Sequence, residues 1–346
     1  MKSTAEDGFI LVATLWFVAL LALAAVAIEG WILTSLSQAT ALGERVTARS
    51  VLLSAKERVA FILAAGGVSP RGLELLPSDS ASAPDAGGPS TTAFAYNGPF
   101  IALDDRPYHL GTVVVRLQDA AGLYDLKNLN RSRLDRFLKG FGVTDGDRER
   151  LSTALFDYMG KPADIRASSI REGDYSRAEL PPPRHAPLLT PWELLRVLGW
   201  GEVKPLWRVS PSVAELATLG PVGGLNVNTA PPKVLVALSD MDESEAARVV
   251  LARAIHPITD LRDIQVAAGS VVEEDRPLTV TPSNIIRLQL TEPGEPLMRV
   301  SEIRLTPLGS APYRVDYAFD MPQKAASRTT VAAPPLPELP AAASGR

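Results

Sequence analysis

Gly8, then FILVATLWFVALLALAAVAI from Phe9 to Ile28, then Glu29: this uncharged run decides the first element of the fold. As a helix rising about 1.5 Å per residue it spans about 30 Å, the thickness of a bilayer's hydrocarbon core. A secretory signal peptide has a basic region before its apolar stretch and a small-residue cleavage site after it. Here Lys2 stands against Glu6 and Asp7, the glycine precedes the run, and no A-x-A-like site follows. The apolar helix is therefore expected to stay with the mature protein.

The helical pattern continues past Ile28. No proline occurs between Met1 and Val68, and Ala48, Leu52, Ala55, Val59 and Ile62 recur at three- and four-residue steps, with Glu44, Arg45, Thr47 and Lys56 opposite. One long helix is expected to leave the membrane and become half-buried against a domain, ending at Gly66-Gly67. Lys2 precedes the apolar run while Arg45, Arg49, Lys56 and Arg58 follow at a distance, so the positive-inside bias orients it only weakly. The short N-terminus before a large polar region suggests a single-pass protein with its bulk outside.

Beyond the helix, Ser78 to Gly98 reads as a Ser/Pro/Ala/Gly-rich loop. Strand-like runs follow at Thr112–Leu117, Ile285–Leu290, Met298–Leu305 and Tyr313–Phe319, with Gly309–Pro312 as a hairpin turn. The first strand is separated from the others by a long helical block, the pattern of a sheet that carries an insertion. In that block Leu126–Leu138 and Leu225–Leu235 each open with an N-x-N turn. Thr229 is a candidate N-cap, with Pro231 or Pro232 in the first turn. Further helices are expected at Asp147–Met159, Pro191–Val197, Ser210–Leu219, Glu243–Ala254 and Ile258–Ala267.

These readings define an α+β protein with a large inserted all-α domain. Its expected divisions are residues 9–67 (membrane and stalk helix), 68–118 with 280–322 (α+β domain), 119–279 (insertion) and 323–346 (Pro/Ala-rich disordered tail). The chain has 346 residues and a net charge of −4, so it carries no strong polyanion signal. It contains no cysteine, which excludes disulfides, thiolate metal sites and cysteine nucleophiles. The three histidines, His109, His185 and His256, are isolated, and no nucleophile elbow, Walker loop or H-E-x-x-H is present. Glu273-Glu274-Asp275 reads as a solvated charge run. Trp192, Trp200 and Trp207 read as core residues rather than a surface patch.

The order of these features carries a resemblance. The stretches are Asp119-Ala-Ala-Gly122-Leu-Tyr-Asp-Leu-Lys-Asn128-Leu, Leu155-Phe-Asp157-Tyr158, Thr190-Pro-Trp192-Glu-Leu194-Leu195 and the L-N-V-N-T-A-P-P box opening Leu225 to Leu238. With the glycine-terminated leader and the flanking strands, the chain resembles the K-type minor pseudopilins of the type II secretion system. The resemblance implies a pilin-like fold, a long N-terminal helix packed on a small antiparallel sheet, with the helical insertion. It implies a leader over residues 1–8, cut by the prepilin peptidase between Gly8 and Phe9, with N-methylation of Phe9. The fifth mature position, a Glu in most pilins, is Ala13 here, as in the K type. A buried carboxylate in a membrane helix is kept only with a partner, in pilins the N-terminal amine of the next subunit. A subunit without it has no reason to dock beneath another, which points to the filament tip.

The resemblance further implies partners: I- and J-type minor pseudopilins, the prepilin peptidase and the bacterial inner membrane, with the secretin or exoproteins as further contacts and the bulk of the chain in the periplasm. It implies calcium, for which Asp157, Asp164, Glu172 and Asp174 are the candidate carboxylates; read without it, they are solvated loop acids. Two departures stand out: the acidic pair Glu6-Asp7 in the leader, and Gly160, Lys161 and Pro162 where the family has further acids. An alternative class is a minor pilin of a type IV pilus. Another is a membrane-anchored helix-hairpin-helix module for nucleic acid, but its turn Ser239–Glu243 lacks glycine and carries three acids, which repel phosphate. The expected function is structural, not enzymatic: capping the periplasmic pseudopilus during protein export.

Overall fold

In the computed structural model, the described residues are 7–75, 98–160, 170, 172–220, 223–239, 241–270, 277–323 and 332–339, with side chains described from Leu11. The leader's first six residues and the expected loop from Ser78, up to residue 97, lie outside them, as does the Glu273–Asp275 run. The chain divides into two compact units, Met1–Ser54 and Ala55–Arg346.

Helix α1, Asp7–Ala65, runs through the first unit into the second. Without proline until Pro70, nothing interrupts its i→i+4 ladder. Its N-terminal part contains a stretch long and apolar enough to cross a membrane, none of it buried by protein. Leu15, Trp16, Leu23 and Trp31 are all about 70% exposed, surface that water would not tolerate in such density. From Ala55 the pattern changes: Ala55, Val59, Ile62 and Leu63 are buried, at the helical spacing expected from the sequence.

After α1 come three short strands, β1 (Gly67–Ser69), β2 (Gly72–Glu74) and β3 (Phe100–Ile101), forming a small antiparallel sheet that the sequence did not signal. β4 (Asp104–Leu110) and β5 (Val113–Asp119) follow as a hairpin, then β6 (Tyr124–Asp125). The insertion continues with α2 (Arg131–Lys139), α3 (Asp145–Tyr158), α4 (Glu172–Arg177), a 3-10 turn over Pro191–Arg196, α5 (Lys204–Arg208), β7 (Ala217–Thr218) and β8 (Leu225–Asn226). α6 (Pro232–Ser239), α7 (Glu243–Ile255), α8 (Leu261–Ala268) and β9 (Leu278–Thr279) complete it. β10 (Ile285–Thr291), β11 (Leu297–Leu305) and β12 (Tyr313–Pro322) then return to the sheet.

The main sheet has the order β12-β11-β10-β5-β4, antiparallel throughout. β5 and β10 are neighbours in space although the whole insertion lies between them in sequence, which is how the sheet carries a helical domain from one end. The protein is α+β, as the sequence indicated. The insertion has its own core, centred on Trp200, Phe137, Leu155, Tyr158 and Leu235, all fully buried. Tyr124 stacks on Phe137 with ring centroids 4.2 Å apart, and Trp200 Nε1 donates to the Leu151 carbonyl at 2.9 Å.

Two expectations are corrected. Ser210–Leu219 is not a helix: its only regular element is β7, paired in parallel with β6. Several of its carbonyls accept from outside: the Arg287 guanidinium on β10 donates to those of Ala214, Glu215 and Ala217, and Tyr124 N and Leu126 N donate to those of Leu216 and Thr218, so the one i→i+4 bond, Leu216 N to the Ser212 carbonyl, is not propagated. Glu215 instead closes a local turn, accepting from Ser212 N (2.6 Å) and Oγ (2.7 Å). The tail is also not wholly disordered: within residues 332–339, residues 334–336 bridge to His109 of β4, with Leu336 buried. A segment of alanine and proline has little apolar surface for a core of its own, but it can complete an edge that another strand already provides.

Candidate functional site

Gly8 and Phe9 lie within the first turn and a half of α1. Ala13 lies on the unburied part of the same helix, with no ionisable neighbour on the run to Ile28. The peptide that the peptidase is expected to cut is thus at the start of the apolar run, clear of the folded body in sequence.

The two motifs of the insertion meet at one buried carboxylate. Asp119 ends β5 and is fully buried. Its Oδ1 accepts from Ala121 N (3.0 Å), Ser283 N (3.0 Å) and Ser283 Oγ (2.7 Å). Its Oδ2 accepts from Asn226 Nδ2 (2.8 Å) and Thr229 Oγ1 (3.0 Å). Burial pushes this carboxyl above the usual range, against the pull of the hydrogen bonds from Ser283, Asn226 and Ala121. Asp119 and Ser283 flank the insertion, while Asn226 and Thr229 lie inside it. The knot therefore clamps the inserted domain onto the strand ends that enter and leave it.

The rest of the L-N-V-N-T-A-P-P box completes the clamp. Asn226 Oδ1 accepts from Asn228 N (3.0 Å). The Asn228 side chain accepts from Ile258 N (2.9 Å) and donates to the carbonyls of Ile258 (2.8 Å) and Val280 (2.9 Å). Arg253 on α7 donates to the carbonyls of Val227 and Ala230 (2.7 Å). Gly122 must be glycine here: a Cβ at that position would stand 2.6 Å from Thr229 Oγ1 and 2.7 Å from its carbonyl carbon. Thr229, expected as an N-cap, spends its hydroxyl on Asp119 instead, a stronger acceptor than any backbone group. Sequence reading met Asp119 as the first residue of a resembling stretch and missed Ser283, Arg253 and Arg287. The available signal was a charge inside an apolar strand, as in Ile-Ile-Arg287-Leu.

Arg287 is fully buried on β10 and lies 5.3 Å from the Trp192 ring centroid. Trp192 in turn meets Phe319 of β12 edge-on at 5.0 Å. Trp207 donates to the Trp200 carbonyl at 2.8 Å beside the buried Trp200. The three tryptophans thus serve packing at two places rather than forming one patch.

Of the four expected calcium carboxylates, Asp164 and the side chain of Glu172 lie outside the described residues. Asp174 pairs with Arg177 at 2.7 Å, and the carbonyl of Asp157 contacts the His185 ring at 3.1 Å. No group of three or more potential metal ligands occurs among the described residues. The chemistry of the donors suits calcium, but Asp174 would have to release Arg177 to serve it.

The helix-hairpin-helix reading meets a physical obstacle. Asp242 caps α7 by accepting from Glu245 N (2.7 Å), and Glu245 returns to Asp242 N (2.8 Å). Two carboxylates hold the amides that a phosphate would need.

Residues 225–280, the box with α6, α7 and α8, match the family model described as type II secretion system (T2SS), protein K. The match covers 56 of the 346 residues (280 − 225 + 1). The resemblance to the K-type minor pseudopilins read from the sequence is borne out by it. No curated protein sequence matches the chain. A similar solved structure is the crystal structure of the GspK–GspI–GspJ complex from the enterotoxigenic Escherichia coli type 2 secretion system. The identity is 17%, the match covers 84% of this chain and 99% of that one, and the TM-score is 0.45.

Proposed function

We propose that the chain caps the tip of the type II secretion pseudopilus, together with other minor pseudopilins, in support of protein export across the outer membrane. The observation that carries the tip placement is Ala13. Its neighbours make an apolar helix suited to bundling in a bilayer, yet the position offers no carboxylate to the amine of a subunit above. The body adds a helical domain clamped rigidly to one end of the pilin-like sheet through Asp119, a bulk that side-by-side stacking along a filament would have to exclude. The protein is a structural component without chemistry of its own, anchored by a single pass in the inner membrane with its bulk in the periplasm. Its partners are the I and J types, in keeping with the complex of the similar structure. The prepilin peptidase acts on Gly8–Phe9 and methylates Phe9, and the secretin or exoproteins are further contacts of the tip.

Mass spectrometry of the membrane-extracted protein tests the first step. The expected N-terminus is methylated Phe9; a chain still starting at Met1 would sink the pseudopilin assignment. Co-expression with an I/J pair tests the second: a stable complex is expected, and a monomer in the presence of both would leave only a membrane anchor. Calcium at Asp157, Asp164, Glu172 and Asp174 is proposed from the resemblance. Chelation should then lower the melting temperature, and an unchanged transition retires the ion.

A further inference from the structure

The two edges of the main sheet are finished differently. Among the described residues β12 pairs with β11 alone. Against the His109 end of β4 comes the segment 332–339, Ala-Ala-Pro-Pro-Leu-Pro-Glu-Leu. His109 N–H donates to the Pro334 carbonyl at 2.8 Å, and Leu336 N–H donates to the His109 carbonyl at 2.7 Å. This is a parallel bridge centred on His109 and Pro335. Leu336 is 4% exposed, and Glu338 pairs with Arg58 of α1 at 2.6 Å.

The positions of the prolines are informative. In an extended chain successive N–H groups point to opposite sides. Leu336 keeps the N–H that faces β4. Residues 335 and 337, whose N–H groups would face outward, are both proline. The segment thus pairs both backbone groups of His109 on β4 and offers no outward donors at these two positions. An unpaired strand edge is a template for association, and proline is one of the means by which edges are blunted.

The chain can reach this position in cis. Met321 pairs with Met298, Met298 with Thr291, Thr291 with Val114, and Val114 with His109. The end of β12 and the landing point on β4 therefore lie on one row across the sheet, four strand spacings or about 19 Å apart. From Gln323 to Ala332 is nine residue steps (332 − 323), a reach of about 30 Å when extended.

We propose that residues 332–339 are a built-in edge guard: this chain's own segment closes the β4 edge and prevents it from pairing with a strand of another molecule. The full-length chain in detergent tests this with hydrogen exchange and light scattering. Truncation after Gln323 should speed exchange of the His109 amide at least tenfold and produce concentration-dependent association. A synthetic peptide of residues 332–339 should reverse both. The double variant Pro335→Ala/Pro337→Ala should keep His109 protected yet associate, because it restores the outward donors. Unchanged His109 exchange on truncation would overturn the docking. Truncated and double-variant chains as monodisperse as the parent would overturn the guard. So would a parent dimer dissociated by truncation, which would place the segment on a second copy.

Discussion

Removing the Asp119 carboxylate is the most direct test of the clamp. Asp119→Ala deletes the acceptor of five hydrogen bonds and leaves Ala121 N, Ser283 N and Asn226 Nδ2 as donors without their partner. The hydroxyls of Ser283 and Thr229 can rotate elsewhere. Each buried donor left unpaired costs about 1–3 kcal/mol, partly offset because a buried charge no longer has to be desolvated. Breaking one side of a buried charged network typically costs about 3–5 kcal/mol. For a body of nearly 300 residues the unfolding entropy is about 0.6 kcal/mol per kelvin, so the melting temperature should fall by about 5–8 °C. Asp119→Asn should fall about half as far. It keeps one oxygen for Ser283 and Ala121 and sets an amide against Asn226 only, since Thr229 can turn to accept. The assay is calorimetry of the detergent-solubilised chain. Arg150→Ala is the control: it deletes the exposed Arg150–Asp147 pair, which solvent screens. An Asp119→Ala midpoint within 1 °C of the control (about 0.6 kcal/mol) would refute the clamp.

Three further outcomes follow from single contacts. Gly122→Ala should destabilise by about 1–3 kcal/mol, read as a lower urea midpoint, because its Cβ meets the Thr229 backbone at 2.7 Å. Glu193 is held below the usual carboxylate range: burial pushes it up, but hydrogen bonds from Leu189 N, Tyr158 and Arg184 outweigh that. Its stabilisation is present above the unfolded value near 4.5 and is lost as pH falls through the lower folded value; Glu193→Gln should flatten the acid limb of the melting curve, and an unchanged limb would count against the assignment. Asp105 is pushed up to about 6, chiefly by burial, and its φ of 67° is left-handed. Stability should therefore fall as pH rises from about 4 to 6. Asp105→Asn, which tolerates that backbone, should gain roughly 1 kcal/mol at pH 7, discounted for a carboxylate still 39% exposed and facing Arg116 at 3.5 Å. Parallel melting curves for parent and variant between pH 4 and 7 would contradict it.

The legible parts of this fold are those in which a single period dominates. The run from Phe9 to Ile28 needs no partner to be read as a membrane-length helix, and the stripe Ala55, Val59, Ile62 marks where α1 becomes buried. The strands at 113–119, 285–291, 297–305 and 313–322 were visible within a few residues. β4 was not, because Asp-Asp-Arg-Pro-Tyr-His-Leu has the charge and proline of an edge strand and little apolar alternation. Ser210–Leu219 was misread because the groups that hold it open belong to Arg287, far away in sequence.

By itself, then, the sequence determined the anchor, the α+β class, the existence of an insertion and the motif of the secretion-system K type. Those are local signals: hydropathy, periodicity and turn chemistry act over a few residues. Only the tertiary structure decided what the motif does. Asp119, Gly122, Asn226, Thr229 and Ser283 are scattered over 165 positions (283 − 119 + 1). They acquire a common role because a buried carboxylate must gather its donors from wherever the chain brings them. The same holds for the C-terminal segment. Its composition forecast only disorder, and its place on β4 depends on an edge that the sequence did not reveal.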